Sequence, residues 1–86
     1  MSANEQPVFE VRLRSKKMQR ELDALHEVDY ERVVVKLRAL ANAPRPQGCE
    51  KLYDAIYRVR VGDFRIIYLI DEDNKRIEVG GVRRRT

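Results

Sequence analysis

Two runs of alternating apolar and polar residues, 56–61 and 64–70, flank the pair Gly62-Asp63. Period-two alternation marks half-buried strands. A two-residue loop between twisted strands needs positive φ at one or both central residues, which glycine supplies cheaply. The spacing therefore predicts a hairpin with a definite register. Val61 faces Phe64, Val59 faces Ile66 and Tyr57 faces Tyr68 on one side. On the other side Arg60 sits opposite Arg65, and Arg58 sits opposite Ile67. The first side is a core face. The second sets like charges against each other, which destabilises a sheet by up to about 1 kcal/mol. Either the arginines splay into solvent, with acids elsewhere compensating, or an anion is held between them. The patch is the candidate site.

The flanking pattern supplies the rest of the fold. Alternation from Phe9 predicts a strand over about residues 8–14, and Ser15 offers an N-cap. Met18, Leu22 and Leu25 recur at i, i+4, i+7 and predict an amphipathic helix over about 16–26. Asp29 is the expected cap of a second helix, whose apolar stripe is Tyr30, Val33, Leu37, Leu40 and Ala41. It should end by Ala43, because Pro44 disfavours helical geometry in the residue before it. Residues 50–53 read as a short strand and Asp54-Ala55 as a turn. Residues 71–75 are a polar turn, and a further strand starts at Arg76. The resulting order, β-α-α-β-β-β-β, implies an α+β fold. An antiparallel helical hairpin covers one face of a mostly antiparallel sheet of four to five strands and leaves the arginine face open. If Ile70 pairs with Ile77, Arg83 comes level with Phe64 on the core side. Burying an unpaired arginine there would cost several kcal/mol. A twist or bulge at Gly80-Gly81 is then required to turn Arg83 outward.

Composition narrows the class. The 86 residues make one domain, 1–86, with residues 1–7 expected to be flexible. An apolar content of 43% and a charged content of 37% read as soluble and globular. No apolar run approaches the roughly 18 residues of a membrane span. The polar start lacks the apolar segment of a signal peptide, so a cytoplasmic protein with no membrane role is expected. The net charge of +4 is uneven: residues 1–44 carry 8 basic and 7 acidic side chains, residues 45–86 carry 10 and 7. The excess sits with the hairpin and suits a phosphate-rich partner. With one cysteine, Cys49, and one histidine, His26, there is no internal disulfide and no zinc constellation, and no metal or cofactor is expected. Cys49 reads as structural and His26 as a surface or capping residue.

The segment Tyr57-Arg58-Val59-Arg60-Val61-Gly62-Asp63-Phe64-Arg65-Ile66-Ile67-Tyr68 resembles the core of the RelE/ParE toxin superfamily. Asn42-Ala43-Pro44-Arg45-Pro46, Lys51-Leu52 and the later Gly-x-Arg-Arg at residues 81–84 also match, so the resemblance spans about residues 8–85. It implies a RelE-type toxin of a type II toxin–antitoxin system that cuts mRNA in the ribosomal A site. The partners it implies are the ribosome, mRNA and a cognate antitoxin. The toxin itself is expected to be monomeric and to form a hetero-oligomer with that antitoxin. Carried over by position, the resemblance makes Arg58, Arg60, Arg65 and Arg83 the catalytic set. Lys51, Arg84 and Arg85 are expected to touch RNA backbone, the last two as part of a mobile basic tail. Val82 departs from the histidine or lysine that often precedes the last catalytic arginine. The sequence given reaches Thr86 without the tyrosine that many members carry shortly afterwards. The ParE branch, whose members inhibit DNA gyrase, and a module that only binds antitoxin are the other readings.

RNA cleavage of this kind needs a base for the 2′-OH, stabilisation of the phosphorane charge and a proton for the leaving oxygen. Guanidinium forks suit the second task. They are poor bases, because they stay protonated far above neutral pH. No histidine or glutamate stands in the expected site as an obvious base.

Overall fold

The computed structural model describes residues 8–85. Its elements follow the order β1 (Glu10–Leu13), α1 (Lys16–Asp23), α2 (Glu27–Leu40), β2 (Glu50–Tyr53), β3 (Ile56–Val61), β4 (Phe64–Asp71) and β5 (Arg76–Arg84). The strands form one sheet in the order β1-β5-β4-β3-β2. Strands β2 to β5 are an antiparallel meander, and β1 lies parallel to β5, with Val11 opposite Ile77 and Leu13 opposite Val79. The expected α+β architecture is therefore present, as a mixed five-stranded sheet. The segment 1–7, expected to be flexible, lies outside the described residues.

Local chemistry sets the helix ends. Ser15 is extended at the N-cap of α1, and its hydroxyl accepts from the Met18 N–H at 3.2 Å. That helix closes at Asp23, earlier than its periodicity suggests. Helix α2 begins at Glu27 rather than after Asp29. The Tyr30 N–H bonds the His26 carbonyl at 2.8 Å, closing the first turn three residues sooner than a cap at Asp29 would. Asp29 instead joins Glu27 in that turn, where carboxylates complement the helix dipole. His26 is the N-cap residue but makes no side-chain capping bond. The β-branched run Val33–Val35 stays helical because Val33 is anchored in the core, fully buried, while Val35 is exposed.

The helices cover one face of the sheet. Met18, Leu22, Val33, Leu37 and Leu40 meet Tyr57, Val59, Val61, Phe64, Ile66, Tyr68, Ile70, Ile77, Val79 and Val82 in one cluster. Tyr30, assigned to the stripe from sequence, is exposed at the rim. The β3–β4 pairing matches the sequence reading at every position named above, and Gly62 has φ of 57° at the first loop position.

Strand β5 carries the expected irregularity. Tyr68 pairs with Val79 and Ile67 with Gly81, so Gly80 is an extra residue without a cross-strand partner. This bulge turns Val82 inward opposite Ile66 and brings Arg83 opposite Arg65, one position from the expected level with Phe64. An unbroken alternation from Val79 would have put Val82 in solvent and Arg83 in the core.

Candidate functional site

The open face carries arginines at the end nearest the Gly62 turn. Arg60, Arg65 and Arg83 lie directly opposite one another across β3, β4 and β5. Arg58 lies one pleat along β3 from Arg60. Arg85 follows β5, held by its backbone N–H donating to the Asp63 carbonyl at 2.6 Å. A cleft of about 220 Å³ opens here, lined by Arg58, Arg60, Arg65 and Arg85 with Gly48, Glu50 and Val59. The Arg85 Nε is shielded from solvent and has no hydrogen-bond partner. Buried polar atoms are ordinarily paired, so this donor is an exception.

The structure sorts the sequence-predicted residues. It gathers Arg58, Arg60 and Arg65. Arg83 shares their face but does not line the cleft; its Nε lies 3.5 Å from where a Cβ on Gly81 would stand, folded back along its own strand. Its place in the cleft is taken by Arg85, which is tied to the hairpin turn rather than trailing in a mobile tail. Arg84 points to the opposite face and lies over the Phe64 ring, 4.8 Å from its centroid. Lys51 pairs with Tyr57, so it too belongs to the helix-side face, at the exposed edge strand. Thr86 is outside the described residues.

A carboxylate is present where none was expected. Glu50 stands opposite Arg58; its Oε1 accepts from Nε of Arg58 at 2.6 Å and forms an ion pair with Nη2, also at 2.6 Å. It is the one acidic side chain lining the cleft among the described residues. Arg58 is therefore already paired, while Arg60, Arg65 and Arg85 have no carboxylate within 4.0 Å among the described residues. The pair arises because β2 begins at Glu50, in register with Arg58. The short edge strand was legible, but its register was not.

The wall before β2 is held by contacts across the sheet's other face. Arg45 donates from Nε to the Tyr57 hydroxyl at 3.0 Å and pairs through Nη1 with Glu72 at 2.9 Å. These contacts hold the Arg45 guanidinium pKa above its ordinary value, the Tyr57 bond contributing most. The Tyr68 hydroxyl donates to the Pro44 carbonyl at 2.7 Å, and burial is the main cause of its raised pKa. Tyr57 and Tyr68 stack with centroids 6.0 Å apart. Cys49, next to this cluster, is half-buried against the core and is a free thiol. Sequence gave no sign of this clasp, because its partners are far apart in the chain.

No cluster of three or more histidine, cysteine, aspartate or glutamate side chains suited to a metal occurs among the described residues. Among them, no helix is long and apolar enough to cross a membrane.

Comparisons with known proteins bear on the family and the fold. A family model described as ParE toxin of type II toxin-antitoxin system, parDE, matches residues 13–86. The chain is similar in structure to the archaeal RelE–RelB complex of Pyrococcus horikoshii. That match has a TM-score of 0.83 and 26% identity over 91% of this chain and 96% of that one. It is also similar to the toxin–antitoxin complex RelBE2 of Mycobacterium tuberculosis (TM-score 0.78, 22% identity, 95% of each chain). The isolated Escherichia coli RelE toxin matches with a TM-score of 0.79 and 15% identity over 91% of this chain and 85% of that one. The last two likenesses carry the fold alone. A search of curated proteins gives no match.

Proposed function

This chain belongs to the ParE toxin family of type II toxin–antitoxin systems, and from that premise we propose that it is a RelE-type toxin, a ribosome-dependent endoribonuclease that cuts mRNA in the A site. The observation that carries the reading is the cleft lined by Arg58, Arg60, Arg65 and Arg85 on the open sheet face. Facing guanidinium groups repel and weaken a sheet, and an anion between them removes that cost. A phosphodiester passing to a pentacoordinate phosphorane is such an anion, and gains charge as it reacts. Arg60 and Arg65 present planar forks to its non-bridging oxygens, and Arg85 adds a third guanidinium to the lining. Arg83, on the same face, contacts the adjoining backbone. The ribosome supplies the mRNA in position.

A cognate antitoxin holds the toxin inactive in a hetero-oligomer. The likeness to the RelE–RelB complex supports that partner. The toxin acts in the cytoplasm, where translating ribosomes are found.

The test is incubation with translating ribosomes, reading mRNA cleavage at A-site codons. Cleavage by the wild-type protein, reduced about 10²–10³-fold by Arg65→Ala, is the expected result. A well-folded Arg65→Ala protein with full activity overturns the assignment. The description of the matching family model favours one other reading, a ParE-type inhibitor of DNA gyrase. A supercoiling assay run in parallel separates the two.

A further inference from the structure

Farther from the Gly62 turn, the face that carries the arginine cleft opens into a second hollow of about 410 Å³. Tyr53, Ile56, Ile67 and Leu69 line it, with Arg14 and Glu78 at its rim. The register joins the two hollows. Ile67 stands opposite Arg58, one pleat from the facing pair Arg60 and Arg65, and Leu69 stands opposite Ile56, one pleat beyond. A pleat repeats every two residues, about 7 Å along a strand. Tyr53 pairs with Ile56 and is 65% exposed. The bulge residue Gly80 has no side chain to fill the hollow, and Arg14 reaches over β5 there. Its Cδ and Nη1 lie 3.9 and 3.8 Å from where a Cβ on Gly80 would stand. Neither Arg14 nor Glu78 has an ion-pair partner within 4.0 Å among the described residues. The core is on the other face, so packing under the helices does not explain this apolar surface.

We propose that this hollow is a base subsite, holding the nucleobase of a nucleotide that adjoins the scissile phosphate; the assignment rests on the nuclease reading above. Continuity with the arginine cleft identifies the occupant. An RNA strand whose phosphate lies between Arg60 and Arg65 must lay its sugars and bases on the surface beside them. On this face that surface changes from charged to apolar at the pair Arg58 and Ile67. One to two pleats is the reach from a phosphate to the base of its own or the next nucleotide. Proteins hold single-stranded RNA by laying unstacked bases against aromatic rings, apolar side chains and guanidinium planes. Tyr53 offers the ring, Ile56, Ile67 and Leu69 the apolar floor, and Arg14 a planar cation that no carboxylate holds. Glu78 adds an acceptor for a base amino group. Every base has a π-face, so stacking here fixes the position of the strand more than it selects a sequence. Tyr53 is thus a substrate-binding residue, remote from the reacting atoms.

The experiment compares wild type, Tyr53→Ala and Tyr53→Phe on programmed ribosomes, with mRNA that is intact or carries an abasic ribose on one or the other side of the cut. Tyr53→Ala should lower kcat/KM on intact mRNA by about 5–150-fold, and Tyr53→Phe, which keeps the ring, should stay close to wild type. With the abasic ribose at the position the hollow serves, wild type should fall by a similar factor and Tyr53→Ala should fall no further. Thermal melts matching wild type show that both variants are folded, as expected for a ring this exposed. If folded Tyr53→Ala cleaves intact mRNA as well as wild type does, the base subsite falls and the nuclease reading stands. Equal losses in Tyr53→Ala on intact mRNA and on both abasic mRNAs also overturn it, because Tyr53 then touches something other than a base. A dimer of the wild-type protein in sedimentation, broken by Tyr53→Ala, would give the hollow to a second copy instead. If wild type does not cleave, the nuclease reading falls and takes this one with it.

Discussion

Strands β3, β4 and β5 present two faces built from alternate residues of the same backbone. Toward the helices stand Val59, Ile66, Tyr68, Ile77 and Val79, none more than 3% exposed. Away from them stand Arg58, Arg60, Arg65 and Arg83. The first face is governed by packing, where a missing methylene leaves a void. The second is governed by charge, where neighbours repel until something negative arrives. A sheet can hold such a face only because the other supplies its stability. Folding and function are thus separated by one step along the chain, and adjacent substitutions should have unrelated effects.

The sharpest way to break that separation uses Ile66 and Ile67. Ile66→Ala leaves a cavity against α1 and α2, so it should cost about 2–5 kcal/mol. Ile67→Ala, on the half-covered open face, should cost under about 1.5 kcal/mol. Urea unfolding of both variants measures the difference, and equal losses would mean that the faces are not independent. A smaller contrast lies in β5. Arg85→Ala removes a cleft donor and should lower single-turnover cleavage about 10–100-fold with little change in stability. Arg84→Ala should leave cleavage alone and cost about 0.5–1 kcal/mol through the lost contact with Phe64. The reverse pattern would put the expected basic tail back in solution. The smallest effect concerns Gly80. Deleting an unpaired bulge residue leaves Val82 facing the helices and Arg83 facing out, so the variant should fold and melt within about 4–8 °C of wild type. Loss of cooperative melting would show that the bulge is required for more than facing.

These contrasts track how far sequence could reach. The β3–β4 register was readable because a two-residue loop with glycine leaves one way to pair two alternating strands. The facing of Arg60 and Arg65 came with it. The need for a bulge was readable from the cost of burying Arg83, but its exact residue was not. Glu50 was missed because a four-residue edge strand has too little pattern to set its register. The start of α2 was misplaced because Asp29 has a capping side chain, while the actual N-cap, His26, makes no side-chain bond to mark it. The Arg45 clasp depends on contacts across the fold that no local pattern encodes.

The pairing of β1 with β5 has a consequence for the order of folding. Strands β2 to β5 close turn by turn, each loop bringing together neighbours in sequence. Val11 and Ile77, by contrast, come from opposite ends of the chain, and their contact must close a loop that contains nearly everything else. Loop-closure entropy makes such contacts late unless the rest is already in place. The meander and the helices on it are then the nucleus, and β1 docks onto a finished edge. Val11→Ala should accordingly speed unfolding and leave the refolding rate nearly unchanged in stopped-flow measurements, whereas slowed refolding would put β1 in the nucleus.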